Sequence, residues 1–211
     1  MAAPGVPPRR RPAVGLLLLG IGRAKGLAQF GADPDSYLGS LAPLLALQIV
    51  MALLFMLKAG VSLALLFFLI VVCNLLAPPV IGHAFCSAWD RRASWPLYAN
   101  VLNWSVWLMV GVLLVLLPAA SMSLSVGLSP TAAASLVLGA ISLYVLWFHW
   151  FLARHALGLS RARALLVMAS VVFGTGVLVQ TPIWIGDATG LQPTPEFSAK
   201  VLPDVPNGSG K

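Results

Sequence analysis

Residues 41–82, LAPLLALQIVMALLFMLKAGVSLALLFFLIVVCNLLAPPVIG, decide the fold. From Leu41 to Leu76 the only ionised side chain is Lys58. As one helix that run would reach roughly 54 Å at about 1.5 Å per residue. A bilayer's hydrocarbon core is only about 30 Å thick and is crossed by about 20 residues. The run therefore has to fold back, and Lys58-Ala59-Gly60 is the one place that combines a charge with a glycine. The spacing predicts two antiparallel spans, 38–57 and 61–82, joined by a very tight hairpin.

The rest of the chain repeats this pattern. Of its 211 residues 59% are apolar and 9% charged, with a mean hydropathy of +0.93. A soluble domain carries about 25% charged residues, so the composition defines an integral membrane protein. Further spans are expected over 98–118, ending at Pro118, and over 131–152 and 163–184. The longest connection is His83–Pro96, and residues 119–130 form an uncharged loop. The tail 185–211 is rich in proline, has no apolar periodicity and reads as an external, disordered segment. Its Asn207-Gly208-Ser209 matches a glycosylation acceptor, which the bacterial, GC-rich character of the composition makes irrelevant.

Residues 1–37 form the opposite tail. Arg9, Arg10 and Arg11 precede an apolar run, Val14–Phe30, interrupted by Arg23 and Lys25. The run reads either as a signal peptide or as a helix lying at the membrane surface. No Ala-x-Ala cleavage pattern follows it, which favours the interfacial helix. Its amphipathicity is imperfect, because Arg23 and Lys25 point roughly 200° apart at about 100° per residue. Asp35 or Ser36 is placed to cap the first span.

Orientation follows from the Lys and Arg count. Ten of them (Arg9, Arg10, Arg11, Arg23, Lys25, Arg91, Arg92, Arg154, Arg161, Arg163) fall on one side of a five-span topology, and three (Lys58, Lys200, Lys211) on the other. The positive-inside rule puts the amino-terminus in the cytoplasm and the carboxy-terminus in the periplasm. The net charge of +7 is thus orientation information, and no nucleic-acid partner is expected.

The five-span count, the cytoplasmic amino-terminus and the stretch Gly26–Pro43, together with Asn103-Trp104 at the start of the third span, resemble the Yip-type membrane protein superfamily. That superfamily comprises five-span trafficking proteins and many bacterial relatives. The resemblance implies a non-enzymatic role exerted through lipids, partner membrane proteins or a second copy of the chain. The aspartate-leucine and glycine-proline signatures of the eukaryotic trafficking branch are missing, and no functional residue carries over.

Little in the chain points to chemistry. No nucleotide-binding glycine loop, zinc-protease helix or nucleophile elbow occurs. His83, Cys86, His149 and His155 lack the spacing of a tetrahedral site, so no metal or cofactor is expected. The spans contain no Asp or Glu, whereas cation-coupled transporters place carboxylates along their pathways. A small-solute transporter or channel subunit is therefore the alternative reading.

Two side-chain arrangements are expected inside the bundle. Ser135/Gly139 and Ser170/Gly174 are small-residue pairs at four-residue spacing, at similar depth on the fourth and fifth spans, and should pack as facing notches. Asn74, Asn103, Tyr144 and His149 fall within about 12 Å of the cytoplasmic interface at helical rise. They should turn inward as one polar cluster, either interhelical glue or a shallow cavity for a lipid headgroup or small polar ligand.

Overall fold

A computed structural model describes residues 10–125 and 127–189. Residues 1–9, Val126 and 190–211 lie outside the described residues, and with them the Asn207-Gly208-Ser209 triplet and most of the expected external tail. The chain runs through α1 (Pro12–Gly20), a 3-10 turn (Ala24–Gln29), α2 (Pro34–Ala59), α3 (Val61–Ala88), a second 3-10 turn (Arg92–Ser94), α4 (Trp95–Ser125), α5 (Pro130–Ala156) and α6 (Arg161–Thr189). Helices α2 to α6 are each long and apolar enough to cross a membrane. The protein is an all-α, membrane-embedded, multi-pass bundle with no strand among the described residues.

A single residue makes the hairpin. Gly60 adopts φ 86° and ψ 167°, a region that only glycine occupies without strain. Its N–H donates to Met56 O at 3.0 Å and its carbonyl accepts from Ala64 N at 3.1 Å, so it closes α2 and opens α3 at once. Below the turn the Phe55 and Phe67 rings meet, with centroids 5.2 Å apart.

Every long helix outruns its expected span, because a helix need not stop where hydrocarbon stops. The third span does not end at Pro118. A proline removes one ladder donor, and the helix continues to Ser125, with the Ser121, Ser123 and Ser125 hydroxyls donating to carbonyls three or four residues back. The expected long loop after Gly82 is mostly helix, since α3 runs to Ala88. Helix α6 likewise continues past 184 to Thr189. The first span is capped by neither Asp35 nor Ser36. Pro34 occupies the first turn, and the Asp33 carboxylate accepts from Ser36 N at 2.8 Å.

The amino-terminal segment is not one amphipathic helix. Helix α1 carries no charge at all, and Arg23 and Lys25 lie exposed beyond the break at Gly20–Arg23. That break resolves the poor amphipathicity of the run, because the apolar and basic parts belong to separate elements. The two stack closely. A Cβ on Gly26 would lie 2.5 Å from Gly15 O, and one on Gly15 would lie 2.5 Å from the Phe30 ring. Leu16, Leu19 and Phe30 are buried in the main core, so this unit is part of the bundle.

The five long helices close a ring in the order α2, α3, α6, α5, α4 and back to α2, with α3 and α4 also in contact across it. Helix α1 lies on α4. Its Gly20–Gly22 end reaches Leu108 of α4 and Tyr144 and Trp147 of α5. Packing is densest toward the end that carries the arginine loops. There Tyr98, Val101, Phe148, Leu152, Leu157 and Val167 are essentially inaccessible. Toward the other end Leu57, Val115, Leu136 and Val179 stand exposed, as side chains facing lipid do.

Candidate functional site

Helix α4 carries two amides one turn apart, Asn100 and Asn103, both buried. The Asn103 Nδ2 donates to Ser40 Oγ of α2 at 2.9 Å, and the Asn100 Nδ2 donates to Gly31 O at 3.0 Å. Ser40 Oγ in turn donates to Tyr37 O at 2.6 Å. These bonds tie the start of α2, and the turn before it, to α4.

Beside them lies a small cavity of about 180 Å³, walled by the polar residues Arg10, Gln29, Ser36, Ser40 and Asn100 together with Pro12, Phe30 and Trp104. Arg10 stands at its rim, with Nη1 3.2 Å from the Asp33 carboxylate and 3.3 Å from Ser36 Oγ. Gln29 Oε1 accepts from Arg11 N at 3.2 Å. The backbone and hydroxyl hydrogen bonds from Ser36, with the Arg10 guanidinium beyond them, hold the Asp33 carboxyl below its ordinary value of 3.8. Gly31 is obligatory here, because a Cβ would run into Ser36 Oγ and Arg10 Nη1. Asn100 Oδ1 has no hydrogen-bond partner. Among the described residues only Tyr98 Oη shares that condition as a buried side-chain atom.

The expected four-residue polar cluster is not formed. Asn103 bonds a side chain of another helix, Ser40, but none of the four bonds another of the four. Asn74 donates to Ile70 O of its own helix at 3.1 Å and lines a separate, apolar cleft with Phe55, Phe67 and Val179. Tyr144 donates to Gly20 O at 3.0 Å, closing the end of α1. His149 Nδ1 pairs with Val145 O of its own turn at 2.9 Å. Shared depth did not bring these groups together, because they point toward different neighbours around the ring.

The facing notches are also corrected. Helices α5 and α6 do pack, but Ser135 and Gly139 are exposed and nothing lies within 4 Å of a Cβ on Gly139. Ser170 is half-buried, and Gly174 faces α3, where a Cβ would lie 2.9 Å from Ile81 Cδ1. The close approach lies elsewhere, at Gly82, whose face is covered by the buried Tyr98 ring.

The three histidines serve separate contacts. His83 stacks edge-on to Trp95 with centroids 5.1 Å apart, and His155 lies 4.6 Å from Phe151. No group of three or more potential metal ligands exists among the described residues.

The sequence reading missed Asn100, Ser40, Gly31 and Arg10. The three-residue spacing of Asn100 and Asn103 was the available signal, since it sets two amides on neighbouring positions of one helix face. Fold and site together define a five-helix integral membrane protein with a small cavity at its basic end. Comparison of the chain with protein-family models, with curated proteins and with solved structures gives no match.

Proposed function

We propose that this chain is a non-enzymatic, Yip-like protein of a bacterial inner membrane, acting by organising lipids or partner membrane proteins around its basic end. The reading takes that end as cytoplasmic and the carboxy-terminus as periplasmic. The observation that carries it is the two-layered amino-terminal unit, an uncharged α1 packed on the bundle with Arg23 and Lys25 exposed beyond it. The arginine loops add to the same end. Arg91 lies beside Gly158, and the Arg163 guanidinium sits 5.2 Å from the Trp89 ring centroid. Basic side chains at a membrane surface attract anionic headgroups with about 1 kcal/mol each. Binding to vesicles of graded phosphatidylglycerol content, with solute flux followed in proteoliposomes, tests the reading. Retention of anionic lipid that falls on Arg23→Gln/Lys25→Gln supports it; saturable solute uptake would overturn it in favour of a transporter. Reporter fusions after Ser94 and Leu159 should read cytoplasmic and those after Ser125 external. An external signal after Ser94 reverses the orientation.

A further inference from the structure

We infer that the groove between α1 and α4 is a binding site for one anionic phospholipid of the leaflet on the basic side, its acyl chain lying along α4 and its phosphate held by Arg23 and Lys25. The inference rests on the proposed lipid-organising role of the basic end and gives that role one defined site. The groove has a volume of about 620 Å³. Ala13, Leu16, Leu17 and Gly20, on one face of α1 by their helical spacing, form one wall, and α4 from Trp107 to Leu116 forms the other. Gly111 opens the middle of the second wall, since nothing lies within 4 Å of a Cβ there. Apart from the Trp107 indole, the only polar side chain in the lining is Tyr144, whose hydroxyl is committed to Gly20 O. The groove therefore takes hydrocarbon. Three observations favour a lipid over a membrane-spanning partner helix. The groove is half a bilayer long, because Trp107 to Leu116 rises about 14 Å against a hydrocarbon core of about 30 Å. Helix α1 also closes its foot. Pro12 and Trp104 wall the same small cavity at the start of α1, and Gly20 meets Leu108 at its end. The helix thus gains about 6 Å along α4 while it runs about 12 Å. It crosses toward α5, in the path of any helix continuing down α4. Finally, exposed cations stand at the end of the groove. Ile21 is the last lining residue of that wall, and the Arg23 N–H donates to Leu18 O at 2.8 Å, which folds Arg23 back against the last turn of α1. Arg23 and Lys25 are exposed and carry no ion pair, since the one salt bridge among the described residues joins Arg10 and Asp33. An apolar seat one leaflet deep with two unpaired cations at its base matches the shape and charge of an anionic lipid.

A defined seat differs from general electrostatic attraction in having a stoichiometry and in being blocked by bulk. The full chain in detergent is titrated with phosphatidylglycerol and with phosphatidylcholine, and bound lipid is counted by native mass spectrometry. One phosphatidylglycerol per chain should be retained in preference to phosphatidylcholine. Arg23→Gln and Lys25→Gln should each reduce that preference about fivefold, the worth of one cation beside an anionic headgroup. Gly111→Phe sets a ring in the groove from an open helical position and should remove the stoichiometric lipid. Gly139→Phe, at an equally open position of α5 outside the groove, should leave it in place. Phosphatidylglycerol with a photoreactive group in mid-chain should label α1 or residues 107–116 of α4. Labelling confined to other helices overturns the inference. So does a dimer of the wild type that Gly111→Phe dissociates, because the groove is then the seat of a second copy. A Gly111→Phe variant that keeps its stoichiometric lipid, with the preference for phosphatidylglycerol intact, removes this site alone. Equal binding of anionic and neutral vesicles by the wild type removes the broader reading.

Discussion

Asn103 and Ser40 are joined by a 2.9 Å hydrogen bond between α4 and α2, in a place where both side chains are buried. The Tyr37 ring of α2 also meets the Trp95 ring of α4, with centroids 5.3 Å apart, so the bond and this contact together set the position of α2 against α4. Interhelical hydrogen bonds in membranes average about 0.6 kcal/mol and reach about 1.7. Asn103→Leu and Ser40→Ala should each lower stability within that range in detergent. A double-mutant cycle should return a coupling of similar size. Asn74→Leu should cost nothing measurable, because its amide bonds only its own helix. Equal losses for Asn74→Leu and Asn103→Leu would contradict the assignment.

Gly82 and Gly139 should respond oppositely to added bulk. Gly82→Ala pushes a methyl into the Tyr98 ring, which is fully buried and has no room to retreat. Overpacking of that kind costs about 1–3 kcal/mol. Gly139→Ala places a methyl in open space and replaces a poor helix former, so stability should stay level or rise by up to about 1 kcal/mol. Thermal unfolding in detergent, scored for both variants together, checks the pair.

Gly60→Ala tests the one-residue turn. Space is free around Gly60, so any cost is conformational, about 1–3 kcal/mol for a side chain held in this backbone region. Gly39→Ala is the control, a helical glycine with equally open surroundings. A neutral Gly60→Ala would mean that the turn relaxes to another geometry.

Tyr144→Phe should loosen α1 without melting the bundle. The phenol O–H donates to the Gly20 carbonyl at 3.0 Å where α1 ends. Losing one hydrogen bond of about 1 kcal/mol raises local opening several-fold. Amide exchange over residues 21–25 should accelerate by that factor while the main unfolding transition stays in place.

Acid should release the start of α2. The Asp33 carboxyl titrates below its ordinary value of 3.8 in the folded protein, mainly through its hydrogen bonds from Ser36. A depressed folded-state value contributes stability that is fully present above the unfolded value and lost as pH falls through the folded one. Exchange at Ser36 and Tyr37 should therefore rise only below about pH 4. Asp33→Asn should abolish that rise, and a wild-type rise near neutral pH would assign it to another group.

The sequence alone determined that five apolar segments cross a membrane and where the chain must turn. Those outcomes follow from local quantities: the length of an apolar run against bilayer thickness and the single glycine after Lys58. It also identified Asn103 as a buried amide, since hydrocarbon forces such a group inward. Which neighbour each polar group meets was decided by tertiary structure alone. Asn74, Asn103, Tyr144 and His149 share a depth, but depth fixes one coordinate, and the ring order of helices and their rotations fix the other two. The same missing rotations made Gly139 look like a packing notch and hid Gly82, whose role comes from Tyr98 on another helix. The cavity under Arg10 was least legible of all. It is assembled from residues 10, 29, 36, 40 and 100, which meet only where α2 and the turn before it are bonded to Asn103 and Asn100 of α4.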